Sequence, residues 1–173
     1  MITKKITFIS FILILLFLFS FGILMINPQR VYAKTVRLNS LNSVDSGKHL
    51  DWGGKSNYMP QFTDAIKTWE NHKSGIIRKD TIFIVEDVTI SDYYEISTIV
   101  AISSSNGKIK FNQYNMDSNT NAQNQNVCTA MIGYHLGLGV SDYYKDVMYT
   151  YTNSVIALSE NDIASFDEAF KRY

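Results

Sequence analysis

The 173-residue chain carries 16 basic and 16 acidic residues, 46% hydrophobic side chains and one cysteine. Its length suits one domain of ordinary size, and the absence of any basic run speaks against nucleic acid as a partner. The lone Cys128 rules out an internal disulfide, so the fold must rest on its own core.

The chain opens with the parts of an export signal in order. Lys4 and Lys5 precede an uncharged apolar run from Ile6 to Ile26, and the cleavage-like tripeptide Val31-Tyr32-Ala33 follows. This order predicts a secretory signal over residues 1–33, cut after Ala33. The alternative is an uncleaved membrane anchor, because a run of this length can span a bilayer. Cleavage would remove Lys4, Lys5 and Arg30, leaving 13 basic against 16 acidic residues, a formal net charge of −3. The expected location is therefore secreted or at the cell surface, with the membrane a partner only if the segment stays uncleaved.

Residues 34–56 are polar and are expected to form a flexible leader, with one short strand near Thr35–Leu38 and a turn at Gly53-Gly54. A second domain boundary is therefore placed at residue 57, with one domain over 57–173. Met59–His72 reads as a helix: Phe62, Ala65, Ile66 and Trp69 share one face, Pro60 fits the first turn, and Gly75 lies just beyond the end. Thr81–Val88 is rich in β-branched and aromatic residues and predicts a largely buried strand. Ile96–Ile102 is a second strand candidate. Asn106-Gly107 is a hairpin turn signal, and Lys108–Asn112 alternates as a half-buried strand.

Asp117–Asn126 has the composition of a loop. Val127–Leu136 predicts a second helix, capped by Asn124 or Asn126 and ended by Gly137 and Gly139. Val127, Ala130, Met131, Tyr134 and Leu138 fall on one face. Ser141–Thr152 is a Tyr-rich loop. Ser159–Tyr173 predicts a third helix, with Ser159 and Asp162 as an acidic capping box and Ile163, Phe166 and Phe170 as its apolar face. Together the elements predict an α+β fold, with helices covering a mixed sheet.

One stretch carries a resemblance. Ala130-Met131-Ile132-Gly133-Tyr134-His135-Leu136-Gly137-Leu138-Gly139-Val140-Ser141 is followed by Val147-Met148-Tyr149, and later by Ser159-Glu160-Asn161-Asp162-Ile163. Gly137, with Leu136 and Leu138 beside it, and Met148 eight residues after Val140, resemble the matrixin branch of the metzincin zinc peptidases. That family's motif is H-E-x-x-H-x-x-G-x-x-H followed by a methionine turn. The similarity runs from about Met59 to the C-terminus and is strongest from Lys108 onward. It implies a zincin-like fold: a mixed twisted sheet, an active-site-type helix, a methionine turn at Met148 and a C-terminal helix.

The chemical positions depart from the motif. Ala130, Tyr134 and Val140 stand at the three zinc-ligand positions, and Met131 stands at the general base. Two histidines four apart on a helix grip one metal, and the glutamate takes a proton from metal-bound water. Ala and Val have no donor atom, Met offers a weak thioether, and one Tyr does not hold zinc. No catalytic or metal residue of the family pattern is intact, so no cofactor is expected where the family uses zinc. His135 lies one residue off the second ligand position, about 100° around the helix, and is read as a surface or packed side chain. Cys128 is read as a buried structural thiol, Met148 as filling space beneath Tyr134, and Asp142 and Asp146 as an exposed loop pair.

The resemblance then implies a pseudoprotease, a domain that binds without hydrolysing. The family's peptide substrate runs along an edge strand, here Ile96–Ser103, and the wall after the methionine turn is here Tyr149–Ser154. Ile99, Ala101, Tyr149 and Tyr151 are the expected contacts for an extended peptide or protein segment. Two alternatives stand beside this: an active secreted zinc endopeptidase with an unusual metal site, and a membrane-anchored structural or adhesion domain.

Overall fold

The structure is a computed structural model that describes residues 33–173. The apolar run Ile6–Ile26 and most of the expected signal lie outside the described residues. Among the described residues, no helix is long and apolar enough to cross a membrane.

Among the described residues the fold is α+β, with five strands and four helices. The strands are β1 (Leu50–Gly54), β2 (Ile77–Lys79), β3 (Val88–Tyr93), β4 (Ala101–Ser104) and β5 (Lys108–Asn112). The helices are α1 (Met59–His72), α2 (Gln113–Met116), α3 (Asn121–His135) and α4 (Glu160–Phe170). The sheet order is β2-β1-β3-β5-β4; β4 alone runs antiparallel, against β5, and forms one edge.

Register decides which face is buried. The pairs Leu50↔Ile77, Trp52↔Val88 and Ile90↔Ile109 place apolar side chains on one face, while Asp51↔Arg78 and Ser91↔Lys110 fall on the other. The apolar face receives α1: the Phe62 ring lies 5.2 Å from Trp52 and 6.3 Å from Phe111, both edge-on. Helix α1 in turn packs against α3, and the Trp69 indole donates to Thr129 O at 3.0 Å. This arrangement needs Gly133, where a Cβ would come within 2.7 Å of the Trp69 ring and 2.6 Å of the Met148 sulfur. The core closes within the compact unit Lys34–Tyr173, which therefore folds around its own apolar centre.

Several sequence expectations are met: α1 has the anticipated bounds, β5 is Lys108–Asn112, and Gly107 turns the β4–β5 hairpin with φ of 72°. Others require correction. Residues 34–56 are not a loose leader, since β1 lies between β2 and β3 in the sheet. Near Thr35–Leu38 there is no strand, only a single bridge from Leu38 to Leu138. Gly53-Gly54 ends β1 rather than making a free turn: at Gly53 a Cβ would lie 2.8 Å from the Asp80 carboxylate, and Gly54 meets the Ile90 backbone.

Thr81–Val88 is not a buried strand. Both neighbouring positions beside β1 are already filled, so the segment closes on itself at Thr81↔Ile84 and the sheet resumes at Val88. The second strand candidate is shifted, with β4 at Ala101–Ser104. Helix α3 begins within the expected loop and is capped by Thr120 with Gln123 in a full capping box. Asn124 and Asn126 are buried inside it, donating to Met116 O at 2.9 Å and Val155 O at 2.8 Å. In α4, Phe166 is buried while Ile163 and Phe170 are only half-buried; Ala169 completes the inner face.

Candidate functional site

Helix α3 ends in a Schellman motif that sets the geometry around it. Gly137 N–H donates to Tyr134 O at 3.1 Å and Leu138 N–H to Gly133 O at 3.0 Å, with Gly137 at φ +88°. The reversed chain then runs antiparallel to the segment Arg37 to Asn39. Asn39 N–H donates to Gly137 O, Gly139 N–H donates to Arg37 O, and the Asn39 amide reaches Tyr134 O and Leu138 O. Gly139 permits this approach, because a Cβ there would lie 2.8 Å from Leu38 O. A pocket of about 540 Å³ opens between the two segments, lined by Val36 to Asn39, Tyr134, Gly139 and Val140.

The four motif positions are thus close in the chain's fold. Ala130, Met131 and Tyr134 are half-buried on α3, one turn or less apart, and Val140 is 57% exposed beyond the glycine turn. They bring no metal-binding atoms beyond the Met131 thioether and the Tyr134 phenol. Among the described residues no three His, Cys, Asp or Glu side chains converge. The nearest histidine is committed elsewhere. With only a thioether and a phenol at these positions, the residues present do not fit a zinc ion.

His135 is packed, not on the surface: it is fully buried, with Ser43 Oγ 2.7 Å from Nδ1 and Ser103 Oγ 2.7 Å from Nε2. A neutral imidazole has one donor and one acceptor nitrogen, so one serine donates and the other accepts. The ring ties α3 to the N-terminal segment on one side and to edge strand β4 on the other. Nothing in the local sequence marks this, because both partners are distant serines. Burial pushes the His135 pKa down to about 4. The folded state thus resists a proton that the unfolded chain accepts near pH 6.5. Stability contributed by neutral His135 is complete above pH 6.5 and is lost as pH falls from 6.5 to about 4. Urea denaturation at pH 7 and pH 4 should show His135→Leu lacking about 3 kcal/mol of the wild-type acid loss. Parallel pH slopes for the two proteins would contradict this.

Edge strand β4 presents an open side. Asn112 N–H donates to Val100 O, and Ile102 pairs with Lys110, so Val100, Ile102 and Ser104 bond inward to β5. By antiparallel alternation, the N–H and C=O groups of Ala101 and Ser103 point away from the sheet. Ile99 is 50% exposed and Ala101 half-buried at this edge. Tyr149 and Tyr151 form a separate pair, with rings 5.6 Å apart and Tyr151 70% exposed.

The turn at Val147 and Met148 is held by a buried carboxylate. Asp162, itself buried, accepts from Val147 N at 2.9 Å, Met148 N at 3.3 Å and Ser159 N at 2.8 Å. Burial pushes its carboxyl upward, and the N–H bonds from Ser159 and Val147 oppose that shift. The Met148 sulfur packs against Gly133, where the Trp69 ring also meets the helix. Asp146 is 1% exposed, not part of an open acidic pair: it accepts from Ser141, Ser159 and Asn161, while Asp142 pairs with Arg37 at 2.8 Å. Cys128 is fully buried, and burial pushes its thiol pKa up, away from reactivity.

Compared with known proteins, the chain matches no protein-family model and no curated protein.

Proposed function

We propose that this chain is a matrixin-like pseudoprotease domain of exported type that binds an extended peptide or protein segment without cleaving it. The carrying observation is the outer edge of β4, where Ala101 and Ser103 offer backbone groups unpaired among the described residues, beside a helix whose motif positions lack an adequate set of metal donors. A zincin-like arrangement is supported by the antiparallel edge strand, the glycine-ended helix and the buried Met148 turn after it. Strand addition needs only backbone groups and nearby pockets. His135 serves this edge as a positioning residue, since it pins Ser103 from behind.

Ala101→Pro tests the reading. Its N–H points outward, so proline removes no ladder bond but blocks a docking strand. Fluorescence anisotropy with a pool of labelled extended peptides should show binding weakened about tenfold, the loss of a backbone hydrogen bond or two, with unchanged thermal stability. Equal binding by wild type and variant would remove β4 as the site. Chelator-sensitive cleavage of those peptides by the wild-type protein would favour an active endopeptidase instead.

A further inference from the structure

Strand register sets two lysines beside the open edge of the sheet. Thr89, Lys108 and Ser104 form one row across β3, β5 and β4, and Ser91, Lys110 and Ile102 form the next. Both lysines are exposed and stand two residues apart, so their charges share one face. A directly opposed cross-strand position is where a sheet gains from an opposite charge, yet both lysines have neutral neighbours on either side. Among the described residues neither ammonium takes part in an ion pair. Asp80 and Glu86 stand over Gly53, on the far side of Thr89 from Lys108. Each row continues outward past β4, to the place that an added strand would take. The inner face of the same edge differs: Ala101 lies opposite Phe111 and Ser103 opposite Ile109, both fully buried.

We infer that the segment added at β4 alternates glutamate with apolar residues, its glutamates on the face of Lys108 and Lys110. This rests on the β4 reading and names the class of peptide that the edge selects. Side chains of an added strand alternate between the two faces. Those level with Ile102 and Ser104 share the lysines' face, and those level with Ala101 and Ser103 turn to the core side. The added strand would lie two strand spacings from β5, about 10 Å. A lysine and a glutamate side chain together span that gap. Ile102, 38% exposed, offers the lysine stem an apolar surface on the way, and Ser104 is small enough to leave the path open. Backbone pairing at the edge is blind to sequence, so the charge on this face is what gives the edge a preference.

The test uses residues 34–173, which enclose their own core. The probes are three labelled peptides that alternate valine with glutamate, with glutamine or with lysine, read by fluorescence anisotropy at low ionic strength. The glutamate peptide should bind about fivefold tighter than the glutamine peptide, and the lysine peptide weakest. The gap should close as salt is added, because the charges are exposed. The double variant Lys108→Glu, Lys110→Glu should reverse the order of the three peptides with an unchanged circular dichroism spectrum. Ala101→Pro should weaken all three alike. Equal binding of the glutamate and glutamine peptides, still weakened by Ala101→Pro, would overturn the inference and leave β4 as the site. A glutamate preference that survives the double lysine variant would overturn it too, by placing the charge elsewhere. Binding of none of the three would remove the β4 reading and this inference together.

Discussion

Asp162→Ala should destabilise the domain by roughly 3 to 5 kcal/mol in urea denaturation, enough to unfold a large fraction of molecules. The carboxylate accepts three backbone N–H groups from two places in the chain: Ser159, at the start of α4, and Val147 and Met148, in the turn under α3. Truncation leaves buried donors with no acceptor, and an unmade buried hydrogen bond costs more than a made one contributes. Asp162→Asn keeps one acceptor oxygen and should fall between the two. Glu160→Ala lies in the same first turn but is exposed, and should change stability by less than about 0.5 kcal/mol. A loss under about 1 kcal/mol for Asp162→Ala would mean that this carboxylate does not hold the turn to the helix.

Placing histidines at the three ligand positions of the proposed matrixin-like pattern is the second large effect. The triple change Ala130→His, Tyr134→His and Val140→His should raise zinc affinity from none measurable to a micromolar Kd or tighter, about 8 kcal/mol of binding free energy. Positions 130 and 134 are one helical turn apart on α3, and Gly137 already turns the chain so that position 140 can close on them. Isothermal titration would read the affinity directly. At a hundredfold excess over Kd, zinc should also stabilise the folded variant by about 2.7 kcal/mol. Adding Met131→Glu should then yield peptide hydrolysis that a chelator abolishes. A triple variant that is folded by circular dichroism and binds no zinc would show that the helix has been aligned in the wrong register.

The elements legible in the sequence are those whose signal is local. In α1, Phe62, Ala65 and Trp69 point inward because of their spacing alone, and Pro60 belongs in the first turn. The Ser159–Asp162 capping box, the Asn106-Gly107 hairpin and the Gly137 helix end are each decided within a few residues. The pattern that motivates the candidate site is local too, a set of residue types along α3 and the turn after it. The start of α3 was not legible, because buried Asn124 and Asn126 give it the composition of a loop; their partners, Met116 and Val155, lie outside the helix.

What the sequence by itself determined is which residue types stand at the motif positions, and hence that Ala130, Tyr134 and Val140 offer zinc no adequate set of donors. The tertiary structure alone decided three further matters. Gly53-Gly54 is strand because Asp80 and the Ile90 backbone come over it, and no neighbour in sequence announces them. Thr81–Val85 is an exposed tip because β2 and β3 already occupy both sides of β1. His135 links two serines at 43 and 103, far apart in the chain, and leaves β4 pinned from behind with its outer backbone open. The physical reason is common to all three. Local propensity acts through spacing along the chain, whereas pairing, close approach and buried hydrogen bonds depend on residues that only the fold brings together.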